Sequence, residues 1–343
     1  MTFFRSWQFW LGIAVSLVCL WLAVRDVPLG DLGHALAGAR YIWLVPAIAL
    51  QLLAVVARAQ RWVVLLGQRG RLADSFWAQG IGYLFTNVFP LRLGEPARVA
   101  VMAERCHVPF LRVAGSAILE RLLDVATVVV ILIAILPWMR VPPLVEKAGL
   151  SFGVLILLLI LALLLLSRFS RVGEAVLEAA GSRLRFLPTA RLIASWRDLV
   201  SGLVPLARWQ IVLPAVLYSA ATWGLSIGVY WCILRAFDTR AAVVEAAFMI
   251  VALSLAVTVP SSPGFVGVFQ LVGQQALVVP FGGKYSETAA FAVVMTAYVT
   301  YYLLTSTLGV VGLLRLGQSF ANLGRILATG PVSEPAAPRD PAL

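Results

Sequence analysis

Three charged side chains stand inside an otherwise apolar run: Glu120, Arg121 and Asp124, in AILERLLDVATVVVILIAIL. On a helix, Glu120 and Asp124 are four apart and share a face, and Arg121 lies three residues before Asp124 and can pair with it. Each charge at the centre of a bilayer costs about 3 kcal/mol on insertion scales. The three must pair with one another, face water, or meet partners such as Arg92 or Arg98. Those belong to a second cluster, in FTNVFPLRLGEPARVA: Asn87, Pro90, Arg92, Gly94, Glu95, Pro96 and Arg98. Pro90 stops an incoming helix, and Glu95-Pro96 reads as a helix start, with an acid at the positive end and proline in the first turn. The third cluster is Pro260-Ser261-Ser262-Pro263-Gly264-Phe265-Val266-Gly267. Ser262 before Pro263 predicts an N-cap and a first helical position. Gly264 and Gly267 would let backbone or ligand approach closely. The chemistry these clusters suit is anion handling. Arg92, Arg98 and Arg121 bring formal charge, two helix starts bring dipoles that favour phosphate, and Glu95, Glu120 and Asp124 limit the excess. The plainer alternatives are a juxtamembrane loop among lipid headgroups, a structural ion-pair network and a proline kink.

Membrane helices must position these groups. The chain has 343 residues, of which 61% are hydrophobic and 13% charged, and its formal net charge is +11. A soluble domain runs nearer half apolar and a quarter charged, which argues against a soluble enzyme. Sparse charge with a basic excess predicts a polytopic membrane protein with arginines at the cytoplasmic lipid surface. No soluble domain concentrates that charge as a nucleic-acid binder would.

A hydrocarbon core about 30 Å thick needs roughly 20 apolar residues per helix. Six segments qualify as spans: 7–24, 41–57, 113–136, 149–167, 210–236 and 288–314. The first reads as a retained span, since no small-residue cleavage site follows it. Two further apolar segments fit less well: 75–90 is only 16 residues and carries Gln79 and Asn87, and 243–280 is too long for one helix and is broken by Pro260 and Pro263. Loop charge orients the chain. Segment 58–73 holds Arg58, Arg61, Arg69 and Arg71 with no acid, and 168–208 holds seven arginines against Glu174, Glu178 and Asp198. Both are expected in the cytoplasm. Threading then requires 75–110 to enter and leave on the cytoplasmic side and 243–280 to do so on the other.

The predicted fold is therefore an all-α polytopic membrane protein, an inverted repeat of three spans plus one re-entrant helical hairpin per half, as in many transporters. The alternative is eight simple spans. One transmembrane domain covers 1–330, with repeat 1 at about 1–140 and repeat 2 at about 141–320, and a Pro- and Ala-rich tail at 331–343 is expected to be disordered. Segment 169–208 is expected to form amphipathic helices on the inner leaflet. The stripe of Tyr298, Tyr302 and Thr305 reads as packing, and Tyr230 carries no specific signal. Cys19, Cys106 and Cys232 form no CxxC pair, so neither a disulfide framework nor a metal site is expected, and no cofactor is. His34 and His107 lie far apart in sequence.

The order and spacing of the three clusters resemble the lysylphosphatidylglycerol synthase transmembrane, or flippase-like, family, the membrane part of the multiple peptide resistance factors. The residues that carry the resemblance are Asn87, Pro90, Arg92, Gly94, Glu95 and Arg98, then Glu120, Arg121 and Asp124, then Pro260, Pro263, Gly264 and Gly267. It implies movement between leaflets of an anionic or aminoacylated phospholipid, or of a related glycolipid. The third cluster adds Ser261 and Ser262 to the expected site, and the threading puts both termini on the cytoplasmic side of a bacterial inner membrane. Where the family motif commonly ends in an acid, this chain has Gln270, and no soluble aminoacyl-transferase domain is visible. A transporter is expected rather than an enzyme. No GxxxxGK[ST] loop occurs, so energy would come from a partner or an ion gradient. The competing readings are a membrane-embedded enzyme acting on a lipid phosphate and a non-catalytic partner of a lipid-modifying enzyme. Membrane lipid is the expected partner, nucleic acid is not, and a lipid-modifying enzyme or a second copy of the chain is left open.

Overall fold

The computed structural model describes residues 7–89, 93–139, 158, 170–183, 189–203, 208–257, 261–281, 283–320 and 322–324. All regular structure among them is helical. In chain order the helices are α1 (Trp7–Val24), α2 (Leu29–Ala37), α3 (Leu44–Leu65), α4 (Leu72–Val88), α5 (Gly94–Cys106) and α6 (Phe110–Ile135). They continue as α7 (Ser170–Arg183), α8 (Thr189–Ser201), α9 (Trp209–Phe237), α10 (Val243–Ala256), α11 (Val268–Val278) and α12 (Glu287–Leu316). Three are long and apolar enough to cross a membrane: Tyr41–Leu65, which joins a short 3-10 turn to α3, then α9 and α12. The pair α1 and α2 meets that standard only together, bent by 79°. Helix α6 has 26 residues, about 39 Å at 1.5 Å per residue, and it alone among the long helices carries Glu120, Arg121 and Asp124 near its middle.

The ends of α12 follow sequence rules. Ser286 Oγ accepts the Ala289 N–H at 3.2 Å, and Gly317 closes the other end in the left-handed region. Leu17 and Trp21 on α1, Leu217 on α9 and Leu303 on α12 face outward, where lipid replaces water as solvent. Helices α7 and α8 pack on each other, and α8 lies along α6. They carry exposed Val172, Val176 and Leu192, as amphipathic helices at an interface do.

Two hairpins sit between the long helices. The first is α4 and α5. Its glycines let the helices cross closely: a Cβ on Gly94 would stand 2.1 Å from the Gly82 carbonyl oxygen. The second is α10 and α11, joined through a one-turn 3-10 helix at Pro263–Phe265. Each hairpin has its own buried apolar cluster. Trp62, Ile81, Phe85, Val101 and Met102 enclose the first, and Ile233, Met249, Phe269, Leu277 and Val293 enclose the second.

Each hairpin is also fastened at its open end by an ion pair. Arg105 at the end of α5 meets Asp74 at the start of α4 at 2.9 Å. Lys284, after α11, meets Glu245 at the start of α10 at 2.6 Å. The two ends of each hairpin are thus neighbours. The two tips also meet, since a Cβ on Gly264 would lie 3.4 Å from the Asn87 carbonyl oxygen. Helix α12 packs chiefly along α4 of the first hairpin, and α6 touches α10 of the second. Helix α6 also packs on α5 and α12 on α11, so each of these two helices touches both hairpins, while α3 and α9 pack along each other.

Expectation and structure differ at two elements. The segment 58–73 was expected to be loop, but α3 runs to Leu65 and carries Arg58 and Arg61 within it. The apolar run Trp62–Leu66 that follows Arg61 keeps the helix going and buries it. The helix expected to start at Ser262-Pro263 begins instead at Val268. Gly264 at φ 71°, Phe265 at φ 59° and Gly267 at φ 83° break the chain after one 3-10 turn, and Ser262 Oγ makes no capping bond. Gln270 Oε1 accepts the Gly267 N–H at 2.7 Å and starts α11 in its place. The expected span at 149–167 except for Leu158, together with Pro90, Arg92, Pro260 and the tail at 331–343, lies outside the described residues.

Candidate functional site

Glu120 and Asp124 face the same way from α6, as their spacing requires, and both meet Arg61 of α3. Arg61 Nη2 donates to Glu120 Oε1 at 3.0 Å, and Nη1 donates to Asp124 Oδ1 at 2.8 Å and to Ser219 Oγ of α9 at 2.9 Å. Arg61 and Glu120 have no exposed side-chain surface. A buried pair of this kind is costly unless further hydrogen bonds meet its other donors and acceptors, and here most are met, Arg61 Nε and Asp124 Oδ2 being the exceptions. Trp223 Nε1 adds a bond to Asp124 Oδ1 at 3.1 Å, and Gln79 Nε2 approaches Glu120 Oε1 at 3.5 Å.

The first hairpin completes the network. Arg98 Nη1 donates to Glu120 Oε2 at 2.6 Å, and Arg98 Nε donates to Glu95 Oε2 at 2.8 Å. Its guanidinium lies over the Trp62 ring, 4.5 Å from the centroid. Trp62 is held in turn by its Nε1 bond to Ser116 Oγ at 3.1 Å. Glu95, in the first turn of α5, also accepts from Arg121. Arg121 Nη1 and Arg58 Nη1 each lie 3.5 Å from Asp124 Oδ2. Four helices, α3, α5, α6 and α9, are therefore tied together through charge.

The network opens on a cavity of about 420 Å³. Its charged lining is Arg58, Glu95, Arg98, Arg121 and Asp124; Arg61 and Glu120 lie behind that wall. Aromatic lining comes from Tyr83, Trp223, Tyr230, Phe265, Phe269, Tyr298, Tyr301 and Tyr302. Hairpin tips contribute Asn87 and Gly94 from one and Gly264 from the other. Asn87 is fixed by its amide, which donates to Thr305 Oγ1 at 3.1 Å and Ser306 Oγ at 3.0 Å on α12. The volume suits a headgroup-sized molecule, within the range of ordinary ligand pockets.

The structure thus joins Glu95, Arg98, Glu120, Arg121 and Asp124 in one network and brings Asn87 and Gly264 to the same cavity. Pro96 lies in the first turn of α5, and Pro263 opens the 3-10 turn. Ser261, Ser262 and Gly267 sit against α1 instead. The Ser262 N–H donates to Ser16 Oγ at 2.9 Å, and a Cβ on Gly267 would meet the Ser16 carbonyl oxygen. Tyr298 and Tyr302, expected to serve packing, line the cavity, as does Tyr230. Sequence reasoning missed Arg58, Arg61, Ser219 and Trp223. A signal for the arginines was present in WVVLL immediately after Arg61, because an apolar run on both sides of a charge marks a helix that continues.

Among the described residues, no group of three His, Cys, Asp or Glu side chains could hold a metal ion. A family model described as the lysylphosphatidylglycerol synthase TM region matches residues 9–308. No curated protein and no solved structure matches the chain.

Proposed function

We propose that this chain, which belongs to the lysylphosphatidylglycerol synthase TM region family, is a lipid flippase or scramblase. Membership implies a role bound to membrane lipid. The finer reading is that a phosphate-bearing headgroup, of an anionic or aminoacylated phospholipid or a related glycolipid, crosses through the cavity while its acyl chains stay in the bilayer. The single observation that carries this is the cavity itself, walled by the tips of both hairpins and by Arg58, Glu95, Arg98, Arg121 and Asp124. In this reading the hairpins are re-entrant from opposite sides of a bacterial inner membrane, the two halves are an inverted repeat, and both termini are cytoplasmic. The paired mouths and touching tips support it, because irregular backbone at membrane depth is tolerated where protein or a water-filled cavity surrounds it.

A transporter is favoured over an enzyme by the partners of the acids. Glu95, Glu120 and Asp124 each engage guanidinium groups. His107 closes the far end of α5, thirteen residues away from the tip that carries Gly94.

The test is transbilayer movement of fluorescent phosphatidylglycerol in proteoliposomes, read by bleaching of the outer leaflet. The wild-type chain is expected to expose inner-leaflet label. Arg92→Ala, Glu95→Ala and Asp124→Asn are expected to slow that exposure at least tenfold in protein that still elutes as a folded species. Unchanged movement in all three variants would remove the assignment of this site.

A further inference from the structure

Hydrogen bonding divides the charged wall into two kinds of arginine. Arg61 and Arg98 each spend two guanidinium nitrogens on hydrogen bonds to Glu120, Asp124 and Glu95, which leaves Arg61 Nε and Arg98 Nη2 without one. Among the described residues, the Arg58 guanidinium donates no hydrogen bond. Its described acidic contact is Asp124 Oδ2 at 3.5 Å, and its side chain is 16% exposed, toward the cavity. Arg121 stands on the other side of the same carboxylate oxygen, also at 3.5 Å, and commits one N–H to Glu95. Asp124 Oδ2 itself accepts no hydrogen bond. Its other oxygen is fixed by Arg61 and Trp223. The carboxylate is therefore immobile, and it holds two guanidinium groups by charge without using their donors.

A guanidinium presents five N–H donors in a planar fork that matches phosphate. A fork left without protein acceptors on the wall of a largely apolar cavity is suited to a ligand that supplies acceptor oxygens. The charge count sets that ligand's class. Among the described lining residues, Arg58, Arg98 and Arg121 face Glu95 and Asp124, an excess of one positive charge. The pair behind them, Arg61 with Glu120, is neutral.

We propose that Arg58 and Arg121 form a two-guanidinium clamp for one singly charged phosphate group, with Asp124 as the positioning residue between them. This rests on the lipid reading above and deepens it. The headgroup is gripped at its phosphodiester, whatever substituent lies beyond, and one of the two gripping residues is an arginine that charge counting assigns to membrane orientation.

Binding by the purified full chain in detergent, followed by native mass spectrometry, tests the clamp. The probes are phosphatidylglycerol, diacylglycerol with the same acyl chains, and inorganic phosphate. The wild type is expected to retain phosphatidylglycerol at least tenfold more than diacylglycerol. Arg58→Gln should abolish that preference, and Arg58→Lys should restore part of it, since charge returns without the fork. Arg197→Gln, which breaks an exposed pair with Glu174, should keep the preference whole. A folded Arg58→Gln protein with the wild-type preference overturns the clamp, and so does a wild type that does not distinguish the two lipids. Arg58-dependent binding of inorganic phosphate without lipid retention upholds the clamp and overturns the lipid reading. Arg58-dependent retention of phosphatidylglycerol by a chain that moves no lipid upholds the clamp and overturns transport.

Discussion

Arg61 shows why a buried cation is hard to replace. Its side chain has no exposed surface and bridges Glu120, Asp124 and Ser219. Arg61→Met keeps much of the volume but leaves Glu120 and Asp124 short of a partner in a region that water does not reach. Breaking one side of a buried pair costs about 3–5 kcal/mol. That loss is expected in denaturant unfolding of the detergent-solubilised protein, and Glu120→Gln on the Arg61→Met background should recover part of it, because the stranded charge is gone. Arg58→Gln, which removes no hydrogen bond, should cost far less. A similar loss for both variants would mean that Arg58 is structural. The acids on α6 were legible as a site because charge in the middle of an apolar run has no cheap explanation. Arg61 was not, although it sits in the same network. It lies one apolar run from the end of a helix, where arginines ordinarily orient the chain, and its partners are 59 and 63 residues away in sequence. No local spacing rule reaches that far.

At the scale of the element, the hairpins depend on what closes their mouths. In the second, Lys284 Nζ meets Glu245 at 2.6 Å and Asp238 at 3.1 Å, and the Tyr285 hydroxyl donates to Glu245 Oε2 at 2.6 Å. Burial opposes the charge of Asp238, but the Arg240 N–H, Lys284 and Tyr285 outweigh it and hold its carboxyl below the ordinary aspartate range. Burial likewise opposes the Lys284 charge, but hydrogen bonds to Glu245 and Asp238 raise it above the ordinary lysine range. Burial, then the Glu245 carboxylate that its hydroxyl donates to, pushes Tyr285 up. The signs define a window. The Asp238 contribution is present above the ordinary carboxylate pKa of about 4 and fades as pH falls through its folded value. Those of Lys284 and Tyr285 are present below about 10 and fade as pH rises through theirs. Tyr285→Phe should therefore lower the unfolding temperature by a constant amount between about pH 5 and 9. The difference from wild type should shrink in strong alkali, as the wild-type tyrosine loses its proton. A difference that is flat into strong alkali would show that the hydroxyl bond contributes nothing. That 75–110 and 243–280 are each a pair of helices was readable from their prolines and from apolar lengths that do not fit one span, the first too short and the second too long. The start of α11 was not. Proline after serine is the ordinary opening of a helix, and the glycine positions that cancel it depend on how closely α1 approaches.

The whole molecule carries a net charge of +11, and in the proposed topology most of that excess, from the arginines of 66–73 and 168–208, would serve orientation. Arg58 and Arg61 leave that group and join the site, so the proposed topology would hold more charge within the bilayer, and less for orientation, than sequence alone suggests. Orientation decides the reading of the fold, because two hairpins fastened at their mouths can be re-entrant from opposite faces only if those mouths open on different sides. Cys106 ends α5 at the first mouth, and Lys284 marks the second. In sealed inside-out vesicles, with Cys19 and Cys232 replaced, an impermeant maleimide is expected to label Cys106. In right-side-out vesicles it is expected to label Lys284→Cys on a Cys106→Ser background, and the reverse combinations should stay dark. Burial, then the neighbouring Asp74, raises the Cys106 thiol above the ordinary cysteine range. Its labelling should therefore climb as the medium is made alkaline, since only the thiolate reacts. Labelling of both positions from one side would overturn the inverted arrangement and leave a single-sided pair of hairpins, through which a headgroup would have no second exit.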